Sequence, residues 1–251
     1  MEYGKPAIDV RNLRKSFAEQ MVLNGVDLQV AGGETLAILG RSGMGKSVFL
    51  KLLIGLQKPD SGSIRIGDQE ITSLDLDQLN VIRKKIGFLF QQAALYDSMS
   101  IEENVAFPLK RHGKLSPAEL KDRVSDLLSR VDMAHHLAKM PSEISGGMQK
   151  RVGLARALAL DPDILLLDEP TAELDPITAG EIEDLILKLR EQRSMTSVVV
   201  THDIHCVRAI STRLALLHEG NILAEGTLKE VQRSPNPLVG QFIKEEALQT
   251  I

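Results

Sequence analysis

Gly40-Arg41-Ser42-Gly43-Met44-Gly45-Lys46-Ser47 fits the pattern G-x-x-x-x-G-K-[ST], in which a glycine-rich loop turns its backbone N–H groups toward a polyphosphate. The flanks decide how it reads. Thr35-Leu36-Ala37-Ile38-Leu39 is a short apolar run that predicts a buried strand, and residues 47–56 are apolar with a helical look. The loop therefore falls on a strand–loop–helix corner, the context the pattern requires. Glycine lets the backbone approach the phosphates closely, and the helix that follows presents its positive dipole end to the same anion. Lys46 is placed to hold the β- and γ-phosphates, and the Ser47 hydroxyl to ligate Mg²⁺. This stretch predicts nucleotide binding; the rest of the chain decides what kind of nucleotide machine it serves.

The chain has 251 residues, 43% of them hydrophobic and 25% charged, enough for a substantial core without disulfides. A net charge of −4 argues against general nucleic-acid binding. The single Cys206 fits a reducing compartment. Met1-Glu2-Tyr3-Gly4-Lys5-Pro6 shows no signal-peptide core, and no run approaches the ~20 apolar residues of a membrane helix. The expectation is a cytoplasmic chain that does not span a bilayer by itself.

Away from the loop, Ile8-Asp9-Val10-Arg11-Asn12-Leu13 and Val26-Asp27-Leu28-Gln29-Val30 alternate as half-buried strands do. Ile86-Gly87-Phe88-Leu89-Phe90 reads as a strand ending on Gln91-Gln92, where open α/β sheets place ligand contacts. Residues 93–160 turn helical, with capping-box patterns at Ser100/Glu103 and Ser116/Glu119 and an apolar stripe of Leu120, Val124, Leu127, Leu128 and Val131. Strand–helix alternation then returns. Ile164-Leu165-Leu166-Leu167 leads into Asp168-Glu169, Asp175-Pro176 opens a helix, and a β-branched run at residues 196–201 ends at His202. A hairpin turning at Glu219-Gly220-Asn221 follows, then a helix capped by Thr227, and residues 239–251 read as a loosely held amphipathic helix. Phe17, one of the few aromatic residues, suits either base stacking or core packing.

Two constellations add chemistry. An Asp at the end of a buried strand beside a phosphate loop can hold Mg²⁺, the part Asp168 would play, and the adjacent Glu169 can polarise a water for in-line attack on the γ-phosphate. Ser145-Gly146-Gly147 opens a helix and is a second anion-binding corner. One triphosphate does not need two such corners in one chain. The second is explained if it caps the γ-phosphate of a nucleotide held by another copy, which implies a head-to-tail homodimer with two shared sites.

With these residues in place the chain resembles the ATP-binding-cassette family over essentially its whole length. Gly40 to Ser47, with Val48 next to it, resembles the Walker A. Gln91 resembles the Q-loop glutamine, a Mg²⁺ contact; Ile144-Ser145-Gly146-Gly147-Met148 resembles the signature; Asp168 and Glu169 resemble the Walker B aspartate and the catalytic glutamate. Leu174-Asp175 resembles the D-loop, and His202 the switch histidine that, with Lys46, meets the γ-phosphate. Phe17 falls where the family puts its base-stacking aromatic.

The resemblance implies an α/β P-loop NTPase (RecA-like) core with an N-terminal antiparallel β subdomain and an inserted α-helical subdomain. One nucleotide-binding domain would cover residues 1–251, with core and β subdomain at 5–92 and 161–233, the helical subdomain at 93–160 and a tail at 234–251. It also implies ATP and Mg²⁺ as ligands and membrane permease subunits as partners. Two positions depart from the family pattern. Met148 stands where the signature usually has Gln, and Glu173 replaces the glycine before Leu174-Asp175. Met148, Ala106-Phe107-Pro108-Leu109, Asp175-Pro176-Ile177 and Val239-Gly240-Gln241-Phe242 together resemble the ATPase of Mla/Mce-type phospholipid trafficking systems. That finer match implies an Mce-type lipid-binding partner, no nucleic acid, and a peripheral position on the cytoplasmic face of the inner (plasma) membrane. The alternatives are a cassette for another cargo, a cassette acting on nucleic acid or ribosomes, and a P-loop phosphotransferase. His202, His205 and Cys206 offer too few ligands for a zinc site, and His135-His136 reads as a solvated loop pair.

Overall fold

The computed structural model describes residues 6–112, 114–191 and 194–248. Residues 1–5 and 249–251, at the start of the chain and the end of the tail segment, lie outside the described residues, as do 113, within the helical stretch, and 192–193. In chain order the elements are β1 (Ile8–Phe17), β2 (Gln20–Val30), β3 (Thr35–Leu39), α1 (Lys46–Leu53), β4 (Ser61–Ile66), β5 (Gln69–Glu70), α2 (Leu76–Arg83), β6 (Ile86–Leu89), α3 (Ile101–His112), α4 (Pro117–Arg130), α5 (Gly146–Ala157), β7 (Ile164–Asp168), α6 (Pro176–Glu191), β8 (Thr196–Thr201), α7 (Ile204–Ile210), β9 (Arg213–His218), β10 (Asn221–Gly226), α8 (Leu228–Gln232) and α9 (Pro237–Leu248). They separate into two units, one formed by residues up to Ile82 and from Ser194 onward, the other by the residues between.

The first unit holds an antiparallel sheet in the order β2-β1-β4-β5. Alternation along β1 sends Ile8, Val10 and Leu13 into its core. Gly62 in β4 has φ +93, and a Cβ there would sit 2.5 Å from the Asn12 carbonyl oxygen and 2.6 Å from that of Arg11. Gly62→Ala is therefore expected to cost about 3 kcal/mol, near the top of single-substitution effects. Gly67→Ala, at φ +57 with open space around it, should cost about 1 kcal/mol. Urea midpoints of the two variants check this, and equal midpoints would refute it.

In the same unit β3 runs parallel to both β8 and β9, in register Thr35↔Ser197 and Leu36↔Arg213. All five residues of β3 are buried, as a strand covered on both faces must be. β9 and β10 form the expected hairpin. Its turn residues Glu219 (φ 46) and Gly220 (φ 76) both adopt the left-handed conformation of a type I′ turn. The tail differs from its expectation. α9 is not loosely held, because Val239, Phe242 and Ile243 pack with Ala37, Leu39, Val207, Leu214 and Leu216 in one core cluster. Their i, i+3, i+4 spacing outweighs the polar residues interrupting the stretch.

The second unit pairs β6 with β7 in parallel, from Ile86↔Ile164 to Leu89↔Leu167. Beside them α3 packs on α4 and α5. α4 starts with the predicted capping box of Ser116 and Glu119, with Pro117 in its first turn. Its stripe buries Val124, Leu127 and Leu128.

Candidate functional site: the phosphate loop and the β6/β7 strand ends

The phosphate loop leaves β3 at Gly40 and enters α1 at Lys46. Gly43 (φ 81) and Gly45 (φ 90) take left-handed conformations that side chains would strain. At Gly45 a Cβ would also meet Val22 Cγ1 at 2.7 Å. Gly45 is the N-cap of α1, so no side chain caps that helix, and no acidic residue lies in its first turn. This is a helix start suited to an anion. Lys46 is 5% exposed, and its ammonium donates to the carbonyls of Gly40 at 2.6 Å and Arg41 at 3.2 Å. Ser42 lies exposed and Met44 half-buried on the loop, where the Met44 N–H closes a turn onto the Arg41 carbonyl at 3.3 Å. The Arg41 guanidinium pairs with Glu245 of α9. Ser47 and Val48 occupy the first turn of α1.

Register brings His202 to the same sheet end. Leu39 pairs with Thr201, and Gly40 donates to the Thr201 carbonyl at 3.3 Å, so the loop and the half-buried His202 leave adjacent strands together. This is where α/β sheets gather ligands. Phe17, at the end of β1, is 42% exposed with Lys15 Nζ 5.2 Å from its ring centroid. Its ring is not core. Cys206 is fully buried in α7 and His205 is exposed. His135 is exposed but His136 is half-buried in the 3₁₀ turn Ala134–His136, so the pair is only partly solvated.

In the second unit the pairing Leu89↔Leu167 places Gln91 and Glu169 at equivalent steps beyond two neighbouring strands. Asp168 is 4% and Glu169 6% exposed. Glu169 has φ 45, a left-handed backbone rare for a side chain of its kind. Lys150, from α5, donates to the Glu169 carbonyl at 2.9 Å and also to the Gln91 carbonyl. Burial pulls its ammonium below the ordinary lysine range, opposed by the carboxylates of Glu173, Glu169 and Asp168. Glu173, the departure from the family pattern, has φ 67. The backbone there has the shape glycine adopts without strain, and a glutamate holds it at a cost of about 1 kcal/mol.

α5 begins as predicted. The Ser145 hydroxyl caps it by accepting from Met148 N–H at 3.3 Å, and Ser145 and Gly146 are exposed with no acidic residue in the first turn. Gly147 is buried, and a Cβ on it would lie 2.4 Å from Thr178 Cγ2. Asp175 accepts from Thr178 Oγ1 at 2.6 Å and from the N–H groups of Ile177 and Thr178 at 3.1 Å, which holds its carboxyl below the usual range. In the structure its carboxylate thus caps the start of α6.

Three residues beyond those singled out in the sequence organise this unit. Asn104, fully buried in α3, accepts from Tyr96 N–H at 2.8 Å and donates to the carbonyls of Tyr96, Met99 and Ser100 at 3.0–3.1 Å. Arg156 donates to the carbonyls of Ala93 at 2.6 Å and Ala94 at 2.8 Å, two alanines held at φ 57 and 48. Lys150 is the third. Asn104 had a signal, a polar residue inside an apolar stripe; the two cations had none. The segment they fix borders a groove of about 510 Å³ whose walls include Phe90, Tyr96 and Phe107, with Arg83, Lys84 and His112 at hand. The rings of Tyr96 and Phe107 are 4.9 Å apart and partly exposed.

The glycine cradle with its lysine in the first unit and the buried acidic strand end in the second are each features of phosphate-loop nucleoside triphosphatases. Residues 23–172 match the family model described as ABC transporter. The probable ribonucleotide transport ATP-binding protein mkl of Mycobacterium leprae is 41% identical over 94% of this chain and 68% of its own. The methionine import ATP-binding protein MetN of Brucella abortus is also 41% identical, over 94% of this chain and 64% of its own. The chain thus spans about two thirds of the length of these curated relatives. Among solved structures, the dimeric post-hydrolysis state of the ATP-binding cassette MJ0796 bound to ADP and Pi superposes with a TM-score of 0.82 at 37% identity, covering 88% of this chain and 98% of that one. The structure of cbiO1 from Clostridium perfringens, part of the ABC transporter complex cbiONQ, gives 0.83 at 30% identity over 98% and 94%. The chain belongs to the ABC transporter family and is an ATPase of that class, with the α/β cassette fold expected from its sequence. No described helix is long and apolar enough to cross a membrane.

Proposed function

We propose that this chain is the motor subunit of a transporter that moves phospholipid between bacterial membranes. Two copies would close head-to-tail on two Mg·ATP and drive separate permease subunits from the cytoplasmic face of the inner membrane. The carrying observation is the exposed, uncapped-by-acid start of α5 at Ser145-Gly146, a second anion-binding helix end in a chain that already has one at Gly45. A second copy gives it a phosphate to meet.

In this reading residues 1–251 are one cassette domain, divided at 5–92 with 161–233, 93–160 and 234–251. Residues 40–48 cradle the phosphates, Phe17 stacks on the base, and Ser145, Gly146, Gly147, Met148 and Asp175 serve the partner's nucleotide. Glu169 polarises the attacking water, while Lys46 and His202 balance charge on the transferring phosphoryl. Ser47, Gln91 and Asp168 offer hydroxyl, amide and carboxylate oxygens, the hard donors that would hold Mg²⁺, and the ion would neutralise charge on the phosphates. The groove beside residues 94–99 is the docking surface for the permease, since its aromatic wall and cationic edge suit an apolar segment carrying acidic residues.

The relatives at 41% identity carry names for ribonucleotide and methionine transport, so overall similarity does not select a cargo. The phospholipid assignment rests on Met148, Ala106-Phe107-Pro108-Leu109, Asp175-Pro176-Ile177 and Val239-Gly240-Gln241-Phe242. A gentle-detergent pull-down from membranes with mass spectrometry tests it. Recovery of a permease with an Mce-type lipid-binding protein is expected. An unrelated permease would leave the motor and remove the cargo, and ribosomes or nucleic acid alone would overturn the transport reading.

A further inference from the structure

We propose that Lys150 is a positioning residue that fixes Glu169 and Gln91 relative to each other and ties both to the anion-binding end of α5. The inference rests on the roles given above to Glu169 and Gln91. Its ground is one ammonium shared by two backbone carbonyls that lie 19 and 59 residues away in the chain. The parallel register of β6 and β7 sets each carbonyl two residues past the pair Leu89↔Leu167, so one buried cation can grip both.

A buried ammonium is unfavourable without partners, and an apolar side chain would fill the same space more cheaply. Lys150 is 5% exposed, and what it holds is unusual backbone. Glu169 stands at φ 45, and its carbonyl accepts both from Lys150 at 2.9 Å and from Ala172 N–H at 3.2 Å. Two donors on one carbonyl fix the peptide plane and hence the direction in which the Glu169 side chain leaves the chain. Lys150 also sits little more than one helical turn beyond Ser145 on α5. Whatever engages the start of α5 therefore acts on a rigid rod whose next inward side chain holds the water-polarising glutamate.

Three measurements on the whole protein test this: steady-state ATP hydrolysis, equilibrium binding of a fluorescent ATP analogue, and the Mg²⁺ concentration for half-maximal turnover. Lys150→Met keeps the length and removes the donors. It should lower kcat by about thirtyfold, the scale of a misplaced catalytic group, with analogue affinity within about threefold and a severalfold higher Mg²⁺ requirement. Lys150→Arg, which can still donate to both carbonyls, should recover kcat to within about fivefold of the unsubstituted protein. A kcat for Lys150→Met within twofold overturns the proposal, and so does a loss that Lys150→Arg fails to recover. If Lys150→Met does not fold, Lys150→Gln replaces it: an intermediate kcat supports the proposal and an unchanged one overturns it. Glu169→Gln measured alongside separates the two levels. Turnover retained in Glu169→Gln removes the role of Glu169 itself, whereas its loss there with normal Lys150→Met turnover removes only the role of Lys150.

Discussion

Glu169→Gln is expected to bind Mg·ATP as the unsubstituted protein does and to lose turnover by at least a hundredfold, the lower range of a general-base contribution. Glutamine keeps the volume and hydrogen-bonding shape of glutamate but cannot draw a proton from water. The site demands that shape, since Glu169 is 6% exposed and bound to a left-handed backbone, so a larger change would confound packing with chemistry. Because closure precedes hydrolysis in the proposed cycle, the variant should accumulate as a closed pair in Mg·ATP. Single-turnover phosphate release and sedimentation velocity read the two effects separately. Undiminished phosphate release would take Glu169 out of its role. Intact ATP binding with no pair formed would overturn the head-to-tail arrangement instead.

Lys46→Ala should fail earlier, at binding. Its ammonium is held by the carbonyls of Gly40 and Arg41, so it stands ready beside the cradle before any phosphate arrives. Charge-assisted hydrogen bonds are worth about 1.5–3 kcal/mol each, and losing such contacts to the β- and γ-phosphates should weaken ATP binding by about a hundredfold. The substitution also deprives two loop carbonyls of their donor, so the nucleotide-free protein should lose about 1 kcal/mol of stability. Isothermal titration and thermal unfolding without nucleotide measure the pair of effects. An affinity within threefold would contradict the assignment of the loop. Together the variants divide the cycle, with Lys46→Ala stopping at capture and Glu169→Gln at chemistry.

The parts of the fold that were legible in the sequence are those whose causes are local. The phosphate loop announces itself because its pattern lies within eight residues and Gly43 and Gly45 there take left-handed backbone that suits glycine. The Glu219-Gly220 turn and the Ser116/Glu119 cap are likewise settled by neighbours in the chain. Lys150 and Arg156 were illegible because their partners are main-chain carbonyls at residues 91, 93, 94 and 169, and any sequence could supply a carbonyl there. On a helix wheel they look like ordinary solvated cations. Glu173 is a different case. Its residue type signalled a change where its backbone kept a glycine-like shape. The tail reads weakly because Gly240, Gln241 and Lys244 dilute a three-residue apolar face that the folded chain buries.

The pairing of β3 sets a timetable for synthesis. Its partners β8 and β9 begin at Thr196 and Arg213, and α9, which helps cover it, comes later still. A ribosome adding about 5–20 residues per second leaves the strand ahead of the phosphate loop unpaired for on the order of ten seconds. The antiparallel sheet is complete by Glu70 and can form meanwhile, leaving Leu36, Ile38 and Leu39 as an uncovered apolar edge on a half-made protein. The nascent chain is thus a natural client for holding chaperones, and the nucleotide cradle is among the last features to become functional.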